Sequence, residues 1–286
     1  MVKKYSDLYL DARKALLATE GEAAGTVARQ LLSGASGKSQ EAIIADRDLY
    51  ASEEICARTE DFVTRYLAGE PMAYILGQWE FYGLPLTVSR DVLIPRDDTV
   101  AVTELAIKRA LFLPQNPRIL DLCTGSGCIG LAIASKVKDA RLTLGDVSPA
   151  ALKIAKKNVL SLGLTARVTC LQVDIHKPAA PFLGKFDMIV ANPPYVTTAE
   201  METLEPSVKN FEPHLALDGG ADGLDCYRAI LENFTPALQP GGIVCFEHGL
   251  GQEDAVSALL KEHDFTILEQ KRDNSYIIRA VAAQKQ

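Results

Sequence analysis

The sequence has no CxxC pair among its six cysteines, Cys56, Cys123, Cys128, Cys170, Cys226 and Cys245, and no metal-ligand spacing between them and its four histidines. The thiols read as reduced and mostly buried. Basic charge is in deficit. Lys and Arg number 30 against 37 Asp and Glu, a formal net charge of −7, whereas a large footprint on duplex nucleic acid calls for a basic face. Also missing is any apolar run of the roughly 18 residues needed to cross a bilayer. The N-terminus runs from Lys3 and Lys4 into Ser6, Asp7 and Asp11 without the apolar stretch of a signal peptide. Internal repeats and low-complexity tracts are absent, which excludes a solenoid. These absences point to the cytoplasm and to a protein or small-molecule substrate, with no membrane and no direct nucleic-acid contact expected.

What is present is an ordinary globular composition, 48% hydrophobic and 23% charged over 286 residues, enough for two modest domains. Apolar residues recur at helical spacing from Lys3 to about Leu67: Leu8, Ala12 and Leu16, then Val27 and Leu31, then Ile55, Phe62 and Tyr66. With breaks expected around Gly34 to Gly37 and at Gly69, residues 1–69 form a small helical domain. Residues 70–95 are denser in Gly, Pro and aromatics, with a strand expected over Leu84 to Val88, and form a hairpin or linker.

From residue 96 to 286 strands alternate with helices, the pattern of an α/β domain with a mostly parallel sheet. Seven strands are expected at Arg118–Leu122, Arg141–Gly145, Arg167–Val173, Met188–Ala191, Ile243–Glu247, Thr266–Gln270 and Tyr276–Val281. The last two should pair as an antiparallel hairpin at one edge.

Four strand ends carry the chemistry. In Asp121-Leu122-Cys123-Thr124-Gly125-Ser126-Gly127-Cys128-Ile129-Gly130 the first strand gives way to a helix, and its glycines let backbone approach a ligand near a helix N-terminus. Gly125, Gly127 and Gly130 also satisfy the dinucleotide fingerprint. Asp146 ends the second strand, where an acid can take two ribose hydroxyls or cap the helix that begins near Ser148. Asp174 ends the third. After the apolar fourth strand comes Asn192-Pro193-Pro194-Tyr195, whose prolines remove two backbone donors and leave acceptors. An amide NH2 is a pure donor and suits such a pocket. If the Asn192 oxygen and the Pro193 carbonyl accept its two N–H bonds, they orient a conjugated, weakly nucleophilic nitrogen as charge develops, with Tyr195 walling the planar group. Glu247 and His248 read as structural support at the end of the fifth strand.

Several motifs match, in order, the HemK-type release-factor glutamine methyltransferases. They are Glu70-Pro71-Met72-Ala73-Tyr74 with Gly77 and Glu80-Phe81, Leu93-Ile94-Pro95-Arg96, the Asp121 to Gly127 loop, Asn192 to Tyr195, Glu212-Pro213 with Ala216 to Gly220 and Asp222 to Leu224, and Glu247-His248-Gly249 with Gln252. The chain resembles that family from about Glu70 onward and more loosely before it. The resemblance implies a Rossmann-like, seven-stranded class I methyltransferase domain with a small N-terminal helical domain that helps to dock the substrate. It implies S-adenosylmethionine as cofactor, S-adenosylhomocysteine as product, and as acceptor the glutamine of the Gly-Gly-Gln motif in bacterial class I peptide-chain release factors, the proteins of translation termination. It assigns Asp121 to the cofactor, Cys123, Thr124, Gly125, Ser126 and Gly127 to its methionine part, Asp146 to the ribose, Asp174 and Ile175 to the adenine side, Asn192 to both cofactor and acceptor amide, and Pro193, Pro194 and Tyr195 to the acceptor amide. The family pattern has an acidic residue after the threonine where this chain has Thr99-Val100, and often glycine where it has Cys123. The stretch Tyr276-Ile277-Ile278-Arg279 before the final strand also differs from the usual one.

Three other readings remain at the level of residues alone. A nicotinamide dehydrogenase shares the first glycine turn and Asp146 but has no use for Asn-Pro-Pro-Tyr. A nucleic-acid amino methyltransferase faces the same conjugated-nitrogen problem, and the acidic balance counts against it. A silent cofactor-binding scaffold would have no need of Asn192.

Overall fold

The computed structural model describes residues 2–286. They divide into two compact units, the first ending at Gln78 and the second beginning at Trp79.

The first unit holds α1 (Tyr5–Glu20), α2 (Ala24–Ser36), α3 (Gln40–Ala45), α4 (Glu53–Leu67) and α5 (Met72–Leu76). Ser39 and Ser52 cap α3 and α4, their side chains accepting the N–H of Ala42 and of Ile55. Leu16, Leu31 and Phe62 meet in one core, and Tyr5, Leu8, Leu32, Ile43 and Cys56 in another. The break expected around Gly34 to Gly37 falls at its end, at Gly37. Gly34 lies inside α2, where a Cβ would stand 2.3 Å from Leu76 Cδ2, so this glycine serves close helix packing, and the chain turns at Gly37.

A separate two-stranded hairpin follows, β1 (Gln78–Phe81), whose first residue is the last of the first unit, and β2 (Leu84–Thr87). Then follow α6 (Thr99–Ala110), β3 (Arg118–Leu122), α7 (Cys128–Lys136), β4 (Arg141–Asp146), α8 (Pro149–Ser161), β5 (Val168–Gln172), β6 (Phe186–Ala191), α9 (Pro206–Lys209), α10 (Asp225–Phe234), β7 (Leu238–Glu247), α11 (Glu253–Glu262), β8 (Phe265–Arg272) and β9 (Ile278–Lys285). One seven-stranded sheet has the order β5-β4-β3-β6-β7-β9-β8. Strands β5 to β7 of that order run parallel, and β9 pairs antiparallel with both β7 and β8. The expected terminal hairpin is therefore present, with β8 outermost.

Alternation along the strands explains the three layers. In β6, Met188 and Val190 face a core built with α6, α7 and α8, while Ile189 and Ala191 face another built with α10 and α11. A strand buried on both faces reads as a continuous apolar run. Each fully buried Leu, Ile or Phe contributes roughly 1.5–3 kcal/mol, so the two cores hold the strand ends in fixed positions.

Three strand starts differ from expectation by two residues or more, β6 beginning at Phe186 rather than Met188. β7 begins at Leu238 rather than Ile243, because Leu238 pairs with Phe186 before an irregularity carries the strand past Pro240. β9 begins at Ile278 rather than Tyr276, because the Asp273 carboxylate accepts the N–H groups of Ser275 and Ile277 and bends the chain through Tyr276 at φ 63°.

Candidate active site

The chain runs outward from β3 to β4 and β5, then returns to place β6 on the other side of β3. Between the carboxyl ends of β3 and β6 the connections part, the place where open α/β sheets bind ligands. Leu122 is in register with both Ala191 and Gly145, so the residues that follow, Cys123, Asn192 and Asp146, surround one opening. There lies a cavity of about 240 Å³ whose walls include Cys123, Thr124, Gly125, Ser126, Asp146, Asp174, Ile175, Asn192 and Pro194. A smaller cavity of about 70 Å³ is lined by Leu93, Arg96, Asn192, Pro193, Tyr195, Val196, Ala216 and Leu217. Asn192 borders both.

Asp121 and Gly127, expected at the cofactor, line neither cavity and lie beneath the loop instead. The Asp121 carboxylate accepts Thr124 Oγ1 at 2.6 Å and the Gly130 N–H at 3.0 Å, tying loop to helix. Burial pushes it up to about 7 in spite of those two bonds. Gly130 fits the dinucleotide pattern for a packing reason, since a Cβ there would stand 2.3 Å from Leu144 Cδ2. At Gly125, with φ 54°, a Cβ would meet nothing within 4 Å, and the backbone faces open space. Cys123 takes φ 55° without being glycine.

Asp146 does not cap α8. The cap is Ser148, whose Oγ accepts the Ala151 N–H at 3.2 Å, with Pro149 preset for the first turn. Asp146 instead accepts one N–H on each oxygen, from Gly125 and from Ser148, both at 2.9 Å. A carboxylate offers about four lone-pair sites, and Asp146 borders the larger cavity. Burial raises its pKa, and these bonds oppose the shift. Asp174 lies nearer solvent, where Lys177 and the His176 N–H hold it below its usual range. Burial pushes the thiols up, Cys123 well above its ordinary value and Cys128 to about 12, so neither is a nucleophile.

The Asn192 turn is held from several sides. Asn192 Nδ2 donates to Thr99 Oγ1 at 3.3 Å, which leaves Oδ1 facing away from that bond. Gln252 donates to the Tyr195 carbonyl at 3.0 Å and accepts the Gly249 N–H at 2.9 Å. The turn joins the apolar core through Tyr195, whose hydroxyl pKa burial raises. Glu247 and His248 are buried and border neither cavity. Burial lifts Glu247, one of whose carboxyl oxygens has no hydrogen-bond partner among the described residues, to about 7, and lowers His248, whose Nδ1 meets the Gly249 carbonyl at 3.1 Å.

Two supporting residues escaped the sequence reading. Asn158 of α8 donates to the Ser126 carbonyl at 2.9 Å and to the Thr87 carbonyl at 3.0 Å, and accepts the Thr87 N–H at 2.7 Å. Its signal was an asparagine on the apolar stripe of Ala151, Leu152, Ala155 and Val159. Thr99 had none beyond its place in a family motif.

Comparison with known proteins agrees with this arrangement. Residues 103–221 match the Methyltransferase small domain and residues 7–77 the PrmC N-terminal domain. A release factor glutamine methyltransferase of Geobacter sulfurreducens is 38% identical over 95% of this chain and 94% of its own length. One from Clostridium acetobutylicum is 34% identical over 98% of each, and one from Bradyrhizobium diazoefficiens 40% identical over 90% and 87%. Among solved structures, a methyltransferase from Pyrococcus furiosus superposes with a TM-score of 0.53 at 17% identity over 79% of this chain and 98% of that one. The hMettl16 catalytic domain reaches 0.55 at 14% identity over 82% and 84%. These two share the fold alone. Identity above 30% along nearly the whole length, with an N-terminal and a methyltransferase match in the same order, decides the matter: the chain belongs to the release factor glutamine methyltransferase family.

Proposed function

We propose that the two cavities divide the reaction, the larger holding S-adenosylmethionine and the smaller admitting a glutamine side chain, with Asn192 as the wall they share. The reaction is transfer of a methyl group to the side-chain amide nitrogen of the glutamine in the Gly-Gly-Gln motif of a class I release factor. Its setting is the cytoplasm, where termination takes place. No helix among the described residues is long and apolar enough to cross a membrane.

The residues of the larger cavity fit the cofactor. The Asp146 carboxylate lines its wall and can accept from a ribose diol, and the Ser126 hydroxyl is buried there without a hydrogen-bond partner among the described residues. Val147, Val173 and Ile175 offer apolar walls to a flat base. When bound, S-adenosylmethionine supplies an electrophilic sulfonium methyl. Asn192 Oδ1 and the Pro193 carbonyl accept the amide N–H bonds, and Tyr195 limits the planar group on one side. Those acceptors favour the nitrogen as positive charge develops on it. The methylated nitrogen is acidic and gives its proton to water, so Glu247 and His248 are not required as bases. The first unit supplies affinity for the folded substrate rather than chemistry, and contacts of that kind change KM more than kcat.

The observation that carries this reading is Asn192 between the two cavities. Asn192→Ala should fold and bind cofactor normally while turnover falls by roughly 10²–10³, the scale of one preorganised polar contact. Intact release factor, a Gly-Gly-Gln peptide, duplex DNA and tRNA should be compared by kcat/KM. Intact release factor should be preferred. A preference for nucleic acid would reverse the assignment in favour of an amino methyltransferase.

A further inference from the structure

Two large side chains stand in water beside the smaller cavity, Leu250 at 70% exposed and Tyr276 at 81%. Both lie at one end of the sheet. β7 runs out toward Leu250, β9 is entered from Tyr276, and between them the His248 N–H donates to the Arg279 carbonyl at 2.9 Å. That end adjoins the smaller cavity in two ways. Tyr195 is one of the cavity's walls; Gln252 donates to its carbonyl at 3.0 Å, and a Cβ on Gly249, the residue before Leu250, would stand 3.0 Å from its ring. Arg279, three residues after Tyr276, pairs at 3.1 Å with Asp98, two residues beyond Arg96 of the same cavity.

Folding gives no reason for a tyrosine at position 276. It adopts φ 63°, a region that bulky residues rarely enter, and at 81% exposure no core packing offsets the strain. The turn is nevertheless held firmly. The Asp273 carboxylate accepts the N–H groups of Ser275 and Ile277, the Asp273 carbonyl accepts the Tyr276 N–H at 3.1 Å, and Arg272 donates to the Tyr276 carbonyl. Strained residues kept in place by their surroundings cluster at sites that bind a ligand. An exposed tyrosine also offers a large flat face that loses little rotamer freedom when it is covered.

We infer that Leu250 and Tyr276 form a docking rim for the loop of the release factor that bears its glutamine. The inference rests on the reading of the smaller cavity as the acceptor site. That cavity takes the glutamine side chain, and the two glycines before the glutamine have no side chains by which to be recognised. They present bare backbone, whose peptide planes can lie against an aromatic ring and an aliphatic side chain. The second unit thereby carries substrate affinity of its own beside the chemistry.

The test measures kcat and KM for wild type, Tyr276→Ala, Tyr276→Gly, Tyr276→Phe and the double variant Leu250→Ala/Tyr276→Ala, each with intact release factor and with a peptide spanning the Gly-Gly-Gln loop. Tyr276→Ala should lower kcat/KM on the order of 10-fold, the scale of an aromatic anchor at an interface. The loss should fall on KM, since contacts made equally before and during transfer leave kcat alone. Calorimetry should find S-adenosylmethionine bound as by wild type. Peptide and intact factor should lose by the same ratio, because the rim meets the loop itself. Tyr276→Phe keeps the ring and should keep most of the affinity, while the double variant should lose on the order of 100-fold. Tyr276→Gly should bind substrate as poorly as Tyr276→Ala with a urea midpoint at or above that of wild type, because glycine takes φ 63° without strain. Wild-type KM in Tyr276→Ala, a loss carried by kcat or by cofactor affinity, a loss confined to the intact factor, or a lowered midpoint in Tyr276→Gly would overturn the inference. Wild-type turnover by Asn192→Ala would overturn instead the reading beneath it.

Discussion

Glu212 accepts the backbone N–H of Ile94 at 3.2 Å from 118 positions away, and the same carboxylate pairs with Arg96. Two segments that border the cavities, one before α6 and one between β6 and α10, are thereby tied by a single buried acid. The motifs Leu93 to Arg96 and Glu212-Pro213 are two halves of one structural device.

Removing that acid should loosen both segments. Glu212→Ala leaves the Ile94 N–H and the Arg96 guanidinium without their partner, and an unmade buried bond costs about 1–3 kcal/mol. Urea unfolding should show that loss, and cofactor affinity should fall with it. Glu212→Gln keeps an acceptor for Ile94 and should lose less. Equal stability of wild type and Glu212→Ala would show that the tie holds nothing.

Asp146 carries two loads, the loop through Gly125 and Ser148 and the diol of the cofactor. Asp146→Ala should weaken S-adenosylmethionine binding by about 2–4 kcal/mol, the scale of two hydrogen bonds to a charged group. Titration calorimetry with S-adenosylmethionine, S-adenosylhomocysteine and NAD reads this directly. The first two should bind wild type, and NAD should not. Tight NAD binding would restore the dehydrogenase reading.

Asn158→Ala strips partners from the Thr87 N–H, the Thr87 carbonyl and the Ser126 carbonyl at once. The expected cost is about 2–4 kcal/mol, read as a lower urea midpoint. Asn158→Leu fills the apolar stripe and should not rescue it, since the carbonyls stay unpaired. A leucine variant as stable as wild type would mean that water replaces the amide.

Glu247 is held up to about 7 from an ordinary 4.5, first by burial and further by Asp98, against Thr99, Arg279 and Tyr195. The folded protein then binds more protons than the unfolded chain between those values, so stability falls as pH rises through that window and levels off above it. Asp121, pushed up to about 7 from 3.8, adds a slope of the same sign. Subtracting the stability profile of Glu247→Gln from that of wild type isolates the first contribution. The difference should decline from about pH 4.5 to about pH 7, and a rising difference would contradict the burial argument.

Much of this protein is written in local pattern. Seven strands are legible because a strand in a parallel sheet is apolar on both faces, as Met188 to Ala191 is, and because helices carry their caps, as Ser148-Pro149 does before α8. The glycine turn, Asp146 and Asn192 to Tyr195 are legible as site residues for a related reason: each follows a strand, and the carboxyl ends of parallel strands converge on one edge of a sheet.

What local pattern could not convey is which atoms meet across long separations. That Gly34 stands inside its helix against Leu76, and that the Asp121 carboxylate is bonded to Thr124 and Gly130 of its own loop and helix, shows only in the fold. Asn158 pairs with Thr87 from 71 positions away, and Asn192 with Thr99 from 93. Only tertiary structure decides such pairings, because a polar side chain buried by folding takes whichever partner the packing of helices and strands brings within about 3 Å. The sequence thus determines the strands, the helices and the chemistry available at the sheet edge, while the tertiary structure decides which of those groups face the ligand and which hold the others in place.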